Sequence, residues 1–398
     1  MRLGAQGDGV AATGREPLFV PFALPGEQWR VAEGGVERLT DSPERRQPVC
    51  RHFGRCGGCS AQHMSDRLYG EWKRDIVSEA FRHRGIDAEV GALRRVGPRS
   101  RRRAFLGVAR QAGGVVIGFR EQGRHTLVDL EECPVLDPRI VIAIGALKEM
   151  ARLAMPGGEG GRLVVTRLDH GLDVSFDNGL KGLTPEARAE LAALAQAAGL
   201  VRLTVGGEPI MLGGAPTVTI AGVAVEAGPG VFLQAVPEAE ALLIDLVLNA
   251  IPRKARKIAD LFSGLGTFTF ALARQAPVAA FDGDKRAVGA LIAAAKRAQG
   301  LKPIEARVRD LFREPLSARE LDLFDAIVFD PPRAGAAAQA ERIAKSKVAL
   351  VVAVSCNPAT LARDAKTLID GGLRMGPVTP IDQFLFSAHV EAVTVFQR

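Results

Sequence analysis

Five cysteines carry the most reactive side chains in this 398-residue chain, and their spacing separates them into two groups. Cys50, Cys56 and Cys59 fall in Cys50-Arg-His-Phe-Gly-Arg-Cys56-Gly-Gly-Cys59, a C-x5-C-x2-C triplet. Gly54, Gly57 and Gly58 let the backbone fold tightly around a small object. Cys133, in Glu132-Cys133-Pro134, can supply a fourth thiolate, and four thiolates serve both iron–sulfur clusters and structural zinc. Zinc sites commonly use paired CxxC units, so a triplet with one distant cysteine favours a [4Fe–4S] cluster. All four thiolates would be engaged, leaving no open iron, so a structural role is expected.

Cys356 stands apart. It follows the apolar run Val348 to Ser355 and precedes a helical pattern starting near Pro358, the outline of a strand, a tight turn and a helix. Open α/β sheets bind ligands at the carboxyl ends of their strands, so a thiol there can act as a nucleophile. A free cysteine is also a common small buried hydrophobe. From Pro237 onwards strand and helix patterns alternate, which predicts a doubly wound parallel sheet. Asp260-Leu-Phe-Ser-Gly264-Leu-Gly266-Thr267 follows a strand and is expected to open an alanine-rich helix. Asp282 and Asp310 end the next two predicted strands, and a carboxylate after the second strand can hold a ribose diol. The motif lacks the third glycine of a dinucleotide site and any Gly-Lys-Ser/Thr, so a nucleoside without phosphates, S-adenosylmethionine, fits best. Asp330-Pro-Pro-Arg333 ends the fourth strand and has Arg333 where amino-group methylases carry an aromatic, which points to another acceptor atom.

The elements before this sheet are mixed. Residues 1–45 contain the β-like runs Leu18 to Phe22 and Gln28 to Val31 and read as a small β module or an irregular arm. Residues 46–235 read as a central α+β domain. An amphipathic helix is predicted between Ala61 and Gly85, and short, mostly antiparallel strands alternate with Gly-rich turns up to residue 235. One clear helix, Pro185 to Ala198, interrupts them. Six arginines between positions 94 and 103 are either a solvated run or a phosphate-contacting edge. Residues 236–398 form the third unit. The net charge of +7 permits a polyanionic partner, while 5% aromatic residues mean that base stacking must rest on few rings. No stretch predicts a membrane span or a secretory signal, so a cytoplasmic location is expected; a monomer is the default expectation, with no sequence feature that reads oligomeric state.

With Val231-Phe-Leu-Gln234, Ser355-Cys-Asn-Pro-Ala-Thr-Leu-Ala-Arg-Asp364 and His389-Val-Glu391 added, the sequence resembles the RNA 5-methyluridine (uracil-C5) methyltransferases. The likeness runs from Cys50 to the C-terminus and is strongest to the iron–sulfur branch acting on 23S ribosomal RNA. The resemblance implies a Rossmann-like class I S-adenosylmethionine methyltransferase domain and a truncated TRAM-like module before Cys50. It implies cofactor contacts from Gln234, Phe262, Gly264, Gly266, Thr267, Asp282, Asp310 and Asp330, and substrate contacts from Phe232 and Arg333. Cys356 would add to carbon 6 of uracil and Glu391 would remove the carbon-5 proton. A helix terminus near Cys356 is expected to lower its pKa. The target base must leave its stack to reach the thiol. Rival readings are a transfer-RNA uracil-C5 enzyme, an amino methyltransferase acting on purines, and an RNA-binding assembly factor with a silent methyltransferase fold.

Overall fold

The computed structural model describes residues 2–13, 16–32, 35–111, 113–155, 160–177 and 183–398. Its largest element is a nine-stranded sheet. Across it run Ile304–Val308, Val278–Asp282, Ile258–Leu261, Ala326–Phe329, Leu350–Ser355, Glu391–Gln397, Thr379–Asp382 and Arg94–Arg95, with Arg374–Met375 also on Glu391–Gln397. The first five are mutually parallel, and Glu391–Gln397 is antiparallel to both its long neighbours. The chain runs outward in both directions from Ile258–Leu261, so a topological switch point lies between that strand and Ala326–Phe329.

Continuous apolar runs form these strands because helices cover both faces. Every residue of Leu350–Ser355 is buried. Its alternate side chains enter two different cores. Val351 and Ala353 pack with Val77 and Phe81 of the helix Asp66–Arg82, whereas Val352 and Val354 pack with Leu243 and Val247 of the helix Pro237–Ala250. The early helix thus shares a core with the late sheet. So does the hairpin Thr217–Ile220/Val223–Glu226, which packs beside Leu291 and Ala294 of the helix Lys285–Arg297.

The central region forms a second sheet ordered Glu208–Leu212, Leu200–Val205, Leu172–Phe176, Gly161–Arg167, Arg103–Gln111 and Gly114–Gly118. It is antiparallel except where Leu172–Phe176 meets Leu200–Val205 across the helix Pro185–Ala197. The single helix expected here is one of two among the described residues. Pro138–Ala154 is capped by Asp137, with Pro138 in its first turn, and its apolar residues extend round most of its surface, which hides the helical period. The expected alanine-rich helix after Gly266 is a single turn, Thr269–Leu272. At the N-terminus five short strands pair as one three-stranded and one two-stranded sheet, and among the described residues they do not close into a barrel.

The arginine run divides by partner. Arg95 pairs with Asp66 at 2.7 Å and lies over the Tyr69 ring. Arg102 is buried against Glu240 at 2.7 Å, and its Nε donates to the Gln234 carbonyl at 2.9 Å. Its backbone N–H donates to Ala235. This pair fastens the central sheet to the large sheet at the segment carrying Gln234. Removing one partner of a buried pair strands the other charge. Glu240→Ala should therefore lower the unfolding free energy by about 3 kcal/mol in a urea titration; a loss below about 0.5 kcal/mol, the level of an ordinary surface change, would show that the pair fastens nothing.

Candidate active site

Strand register brings the downstream motifs together. Phe329 pairs with Ala353, and Ser355 pairs with Ala392 on the antiparallel strand. Asp330, Cys356 and Glu391, each one residue from these pairs, therefore meet at one edge of three adjacent strands. Gln234 bridges to them. Its Nε2 donates to Asp330 Oδ2 at 3.0 Å, and its Oε1 accepts from Gln383 Nε2 at 3.0 Å. Gln383 Nε2 also donates to Glu391 Oε2. Two amides thus link two carboxylates that are 96 and 8 residues from their respective partners. Gln383 was not singled out from the sequence, where nothing distinguishes a polar residue after a strand from a surface position.

The electrostatics are acidic. Burial raises Asp330 to about 7, with Gln234 opposing. Burial and then the Asp330 charge raise Glu391 to about 8. Burial, Glu391 and Asp330 push the Cys356 thiol up to about 12, and Arg333 pulls the other way. This corrects the expected lowering by the helix terminus. Asn357 caps that helix, Pro358–Asp370, but two neighbouring carboxylates and desolvation outweigh its dipole. Arg333 is exposed, its Nη2 lies 3.4 Å from His389 Nδ1, and its carbonyl accepts from Asn357 Nδ2 at 2.9 Å.

A second group of predicted residues lies at the ends of Ile258–Leu261 and Val278–Asp282. Gly264 and Gly266 have positive φ, and a Cβ on Gly266 would stand 2.7 Å from the Phe270 ring. Asp282 Oδ2 accepts from the Gly264 N–H at 2.8 Å, and Oδ1 accepts from the Asp284 N–H at 2.7 Å. That carboxylate shapes the turn, and each oxygen keeps a second lone pair. Phe262, itself at positive φ, faces Phe312 with ring centroids 5.5 Å apart. Thr267 is half-buried in the turn after Gly266. Asp310 lies beyond its strand, which ends at Val308, and caps its own turn by accepting from the N–H groups of Phe312 and Arg313. Phe232 is exposed, two residues before Gln234. Buried Asp260 accepts from the Thr269 hydroxyl through Oδ2, its Oδ1 has no partner among the described residues, and burial raises it to about 7.

The upstream cysteines lie in a separate region of the chain. Gly57 N–H donates to Arg120 at 2.8 Å, so the triplet loop lies against that segment, and a Cβ on Gly57 would stand 2.9 Å from the same carbonyl. Arg51 N–H donates to Glu132 Oε1 at 2.6 Å, which ties the loop to the residue before Cys133. Burial raises Cys59 to about 12, and the charges of Cys133, Cys56 and Cys50 add to it. Cys56 responds to Cys133 and Cys50 as well. Among the described residues no three His, Cys, Asp or Glu side chains converge closely enough to hold a metal ion. No described helix is long and apolar enough to cross a membrane.

Comparison with known proteins gives the family. The model of the tRNA (uracil-5-)-methyltransferase family matches residues 223–398, from the edge of the packed hairpin to the last strand. An uncharacterized RNA methyltransferase of Rhizobium meliloti is 45% identical over 100% of this chain and 98% of its own length. The 23S rRNA (uracil(1939)-C(5))-methyltransferase RlmD of Chromohalobacter salexigens is 35% identical over 100% of this chain and 88% of its own. In fold, the tRNA (uracil-54, C5)-methyltransferase of Pyrococcus abyssi, solved with S-adenosyl-L-homocysteine, superposes with a TM-score of 0.76 at 24% identity, covering 99% of this chain and 98% of that one. The two relatives, alike over the whole of this chain at 45% and 35% identity, settle the family: the chain belongs to the S-adenosylmethionine-dependent RNA (uracil-C5-)methyltransferases.

Proposed function

We propose that this protein transfers a methyl group from S-adenosylmethionine to carbon 5 of one uridine in 23S ribosomal RNA. The reading rests on a thiol, Cys356, held in the field of two buried carboxylates, Glu391 and Asp330. The RNA is named from the end-to-end likeness to the 23S enzyme. Residues 236–398 carry the chemistry, residues 46–235 position RNA, and residues 1–45 are an accessory arm.

The residues at the second group fit a cationic nucleoside without phosphates. The Gly264–Gly266 turn makes room, the orphaned Asp260 Oδ1 offers an unused acceptor, and free lone pairs on Asp282 suit ribose hydroxyls. Phe262 and Phe312 border the place for the adenine, with Asp310 and Thr267 beside them. S-adenosylmethionine supplies an electrophilic methyl group on a positively charged sulfur. In the chemistry proposed, the Cys356 thiol first loses its proton to solvent, and the thiolate adds to carbon 6 of uracil and opens the 5,6 double bond. Carbon 5, now carrying the electron pair, takes the methyl group as that group's bond to the sulfonium sulfur breaks, and S-adenosylhomocysteine is the leaving group. Glu391, oriented by Gln383 and ionised once the cationic methyl donor is bound, accepts the carbon-5 proton, the double bond re-forms and the thiolate is expelled. Phe232 stacks on the target base, Gln234 and Asp330 line the pocket, and Arg333 offsets negative charge at its mouth.

The same reading includes a [4Fe–4S] cluster on Cys50, Cys56, Cys59 and Cys133. Burial raises all four thiols, and Cys56, Cys59 and Cys133 are raised further by neighbouring cysteines, so a cationic centre is needed for the four to ionise together. Protein purified without oxygen should be brown and hold about four irons, while Cys59→Ser should lose both; a colourless protein with one zinc would overturn the assignment.

For the reaction, labelled S-adenosylmethionine and unmodified ribosomal RNA should yield labelled 5-methyluridine. Label in a methylated purine, or label only with transfer RNA, would refute the reading as stated. RNA carrying 5-fluorouridine should form a covalent complex, because carbon 5 then has no proton to give up. Cys356→Ala should abolish that complex, and its persistence would remove Cys356 from the role.

Glu391 can also be tested without RNA. Its folded pKa lies near 8 against an ordinary value of 4.5. Between those values the folded chain keeps a proton that the unfolded chain releases, so stability falls as pH rises from 4.5 to 8. Glu391→Gln should therefore be more stable than the parent at pH 8, by on the order of 2 kcal/mol, with little difference at pH 5. An equal effect at both values would show that Glu391 is not a buried acid.

A further inference from the structure

Two aromatic rings stand in solvent beside the proposed active site. Phe105, on the strand Arg103–Gln111, is 44% exposed, and Phe232 is 63% exposed. Aromatic residues are only 5% of the chain, so neighbouring rings that bury neither against the core call for a partner. Between them lies Arg103, its guanidinium carbon 4.5 Å from the Phe105 centroid and 5.7 Å from that of Phe232. Arg162 approaches Phe105 from another side at 5.7 Å.

The charges differ in how they are balanced. Arg162 pairs with Asp177. Arg103 has no carboxylate partner among the described residues: Nη2 donates to the Gly230 carbonyl at 3.0 Å, and its buried Nε is unpaired. Burial, then Arg101 and Arg162, push Arg103 down to about 10, the mark of a cation held among cations without an anion. The bond to Gly230 joins this group to the segment that continues through Phe232 to Gln234, and Gln234 is bonded to Asp330. The aromatic and basic surface therefore borders the mouth of the site.

We propose that Phe105 and Arg103 form a second stacking station for single-stranded RNA, Phe105 taking the base that flanks the target nucleotide and Arg103 the phosphate between the two. The inference rests on the RNA-methylating reading above and extends it to a neighbouring nucleotide. Extracting one base from a strand unstacks its neighbour, and an aromatic ring restores that stacking with little regard to sequence, since every base has a flat face. An arginine between two such rings meets the phosphate that joins their nucleotides.

The test uses the full chain and a fluorescein-labelled single-stranded RNA of roughly 12 nucleotides with one central uridine. Two further probes begin or end at that uridine. Phe105→Ala should raise the Kd for the central probe about tenfold, Phe105→Trp should restore it, and the penalty should vanish on the one probe that lacks the flanking nucleotide. The station is refuted if Phe105→Ala binds within about twofold of the parent, or if it loses equally on all three probes. Suppose the parent forms no 5-methyluridine with any RNA but the Phe105 dependence of binding persists. Then the methylation reading fails and the station stands.

Discussion

The arrangement at the active site depends on one buried ion pair, Lys73 with Asp382. Both side chains are fully buried, and they lie 2.8 Å apart. Lys73 also donates to the carbonyls of Phe384 and His389, so a single ammonium holds both ends of the segment between Asp382 and Glu391. Tyr69, one helical turn earlier, donates to the other Asp382 oxygen at 2.6 Å and accepts from the Phe386 N–H at 2.9 Å. Desolvation lowers the Lys73 pKa, and Asp382 offsets only part of that. Such a pair adds little net stability, because its attraction roughly offsets the lost hydration. It adds geometry: every donor on Lys73 has one acceptor and the segment has one path. Gln383 and Glu391 are thereby aimed at Gln234 and Cys356 by a residue more than three hundred positions upstream.

The site is built at the expense of stability. Asp260, Asp330 and Glu391 are all held near or above neutrality by burial, and the Cys356 thiol sits higher still. A pocket rich in suppressed acids favours any ligand that brings positive charge, because ionising the acids beside a cation recovers energy that desolvation withheld. The sulfonium of the family's methyl donor has that sign. Perturbed carboxylates are thus consistent with the chemistry of the family and with a site that is completed only when loaded.

Two attachments connect the central sheet with this machinery. Arg102 and Glu240 fasten it beside Gln234, and Arg103 reaches Gly230 a few residues earlier. Arg102 lies just before the strand Arg103–Gln111, and Arg103 is its first residue. Arg102 is spent on a buried carboxylate, whereas half-buried Arg103 has no carboxylate partner among the described residues. The difference in partners turns a single basic run into a structural bolt and a binding surface.

The sequence by itself determined the local units. Apolar runs followed by glycine turns and helices predicted the parallel sheet, and the cysteine spacing separated the upstream triplet from Cys356. The ends of strands located Asp282, Asp330 and Cys356, because period and turn chemistry act over a few residues and are written there. The helix Pro138–Ala154 escaped, since an apolar surface on most sides leaves no clear period to read. Asp310 was placed on a strand that stops two residues earlier. Tertiary structure alone decided the rest. Gln383 gained meaning only from Gln234 and Glu391, Lys73 only from Asp382, and the charge run only from Glu240 and Asp66. The high pKa of Cys356 has the same origin. Desolvation and charge act through space, and distance along the chain carries no record of which carboxylates will be folded beside a thiol.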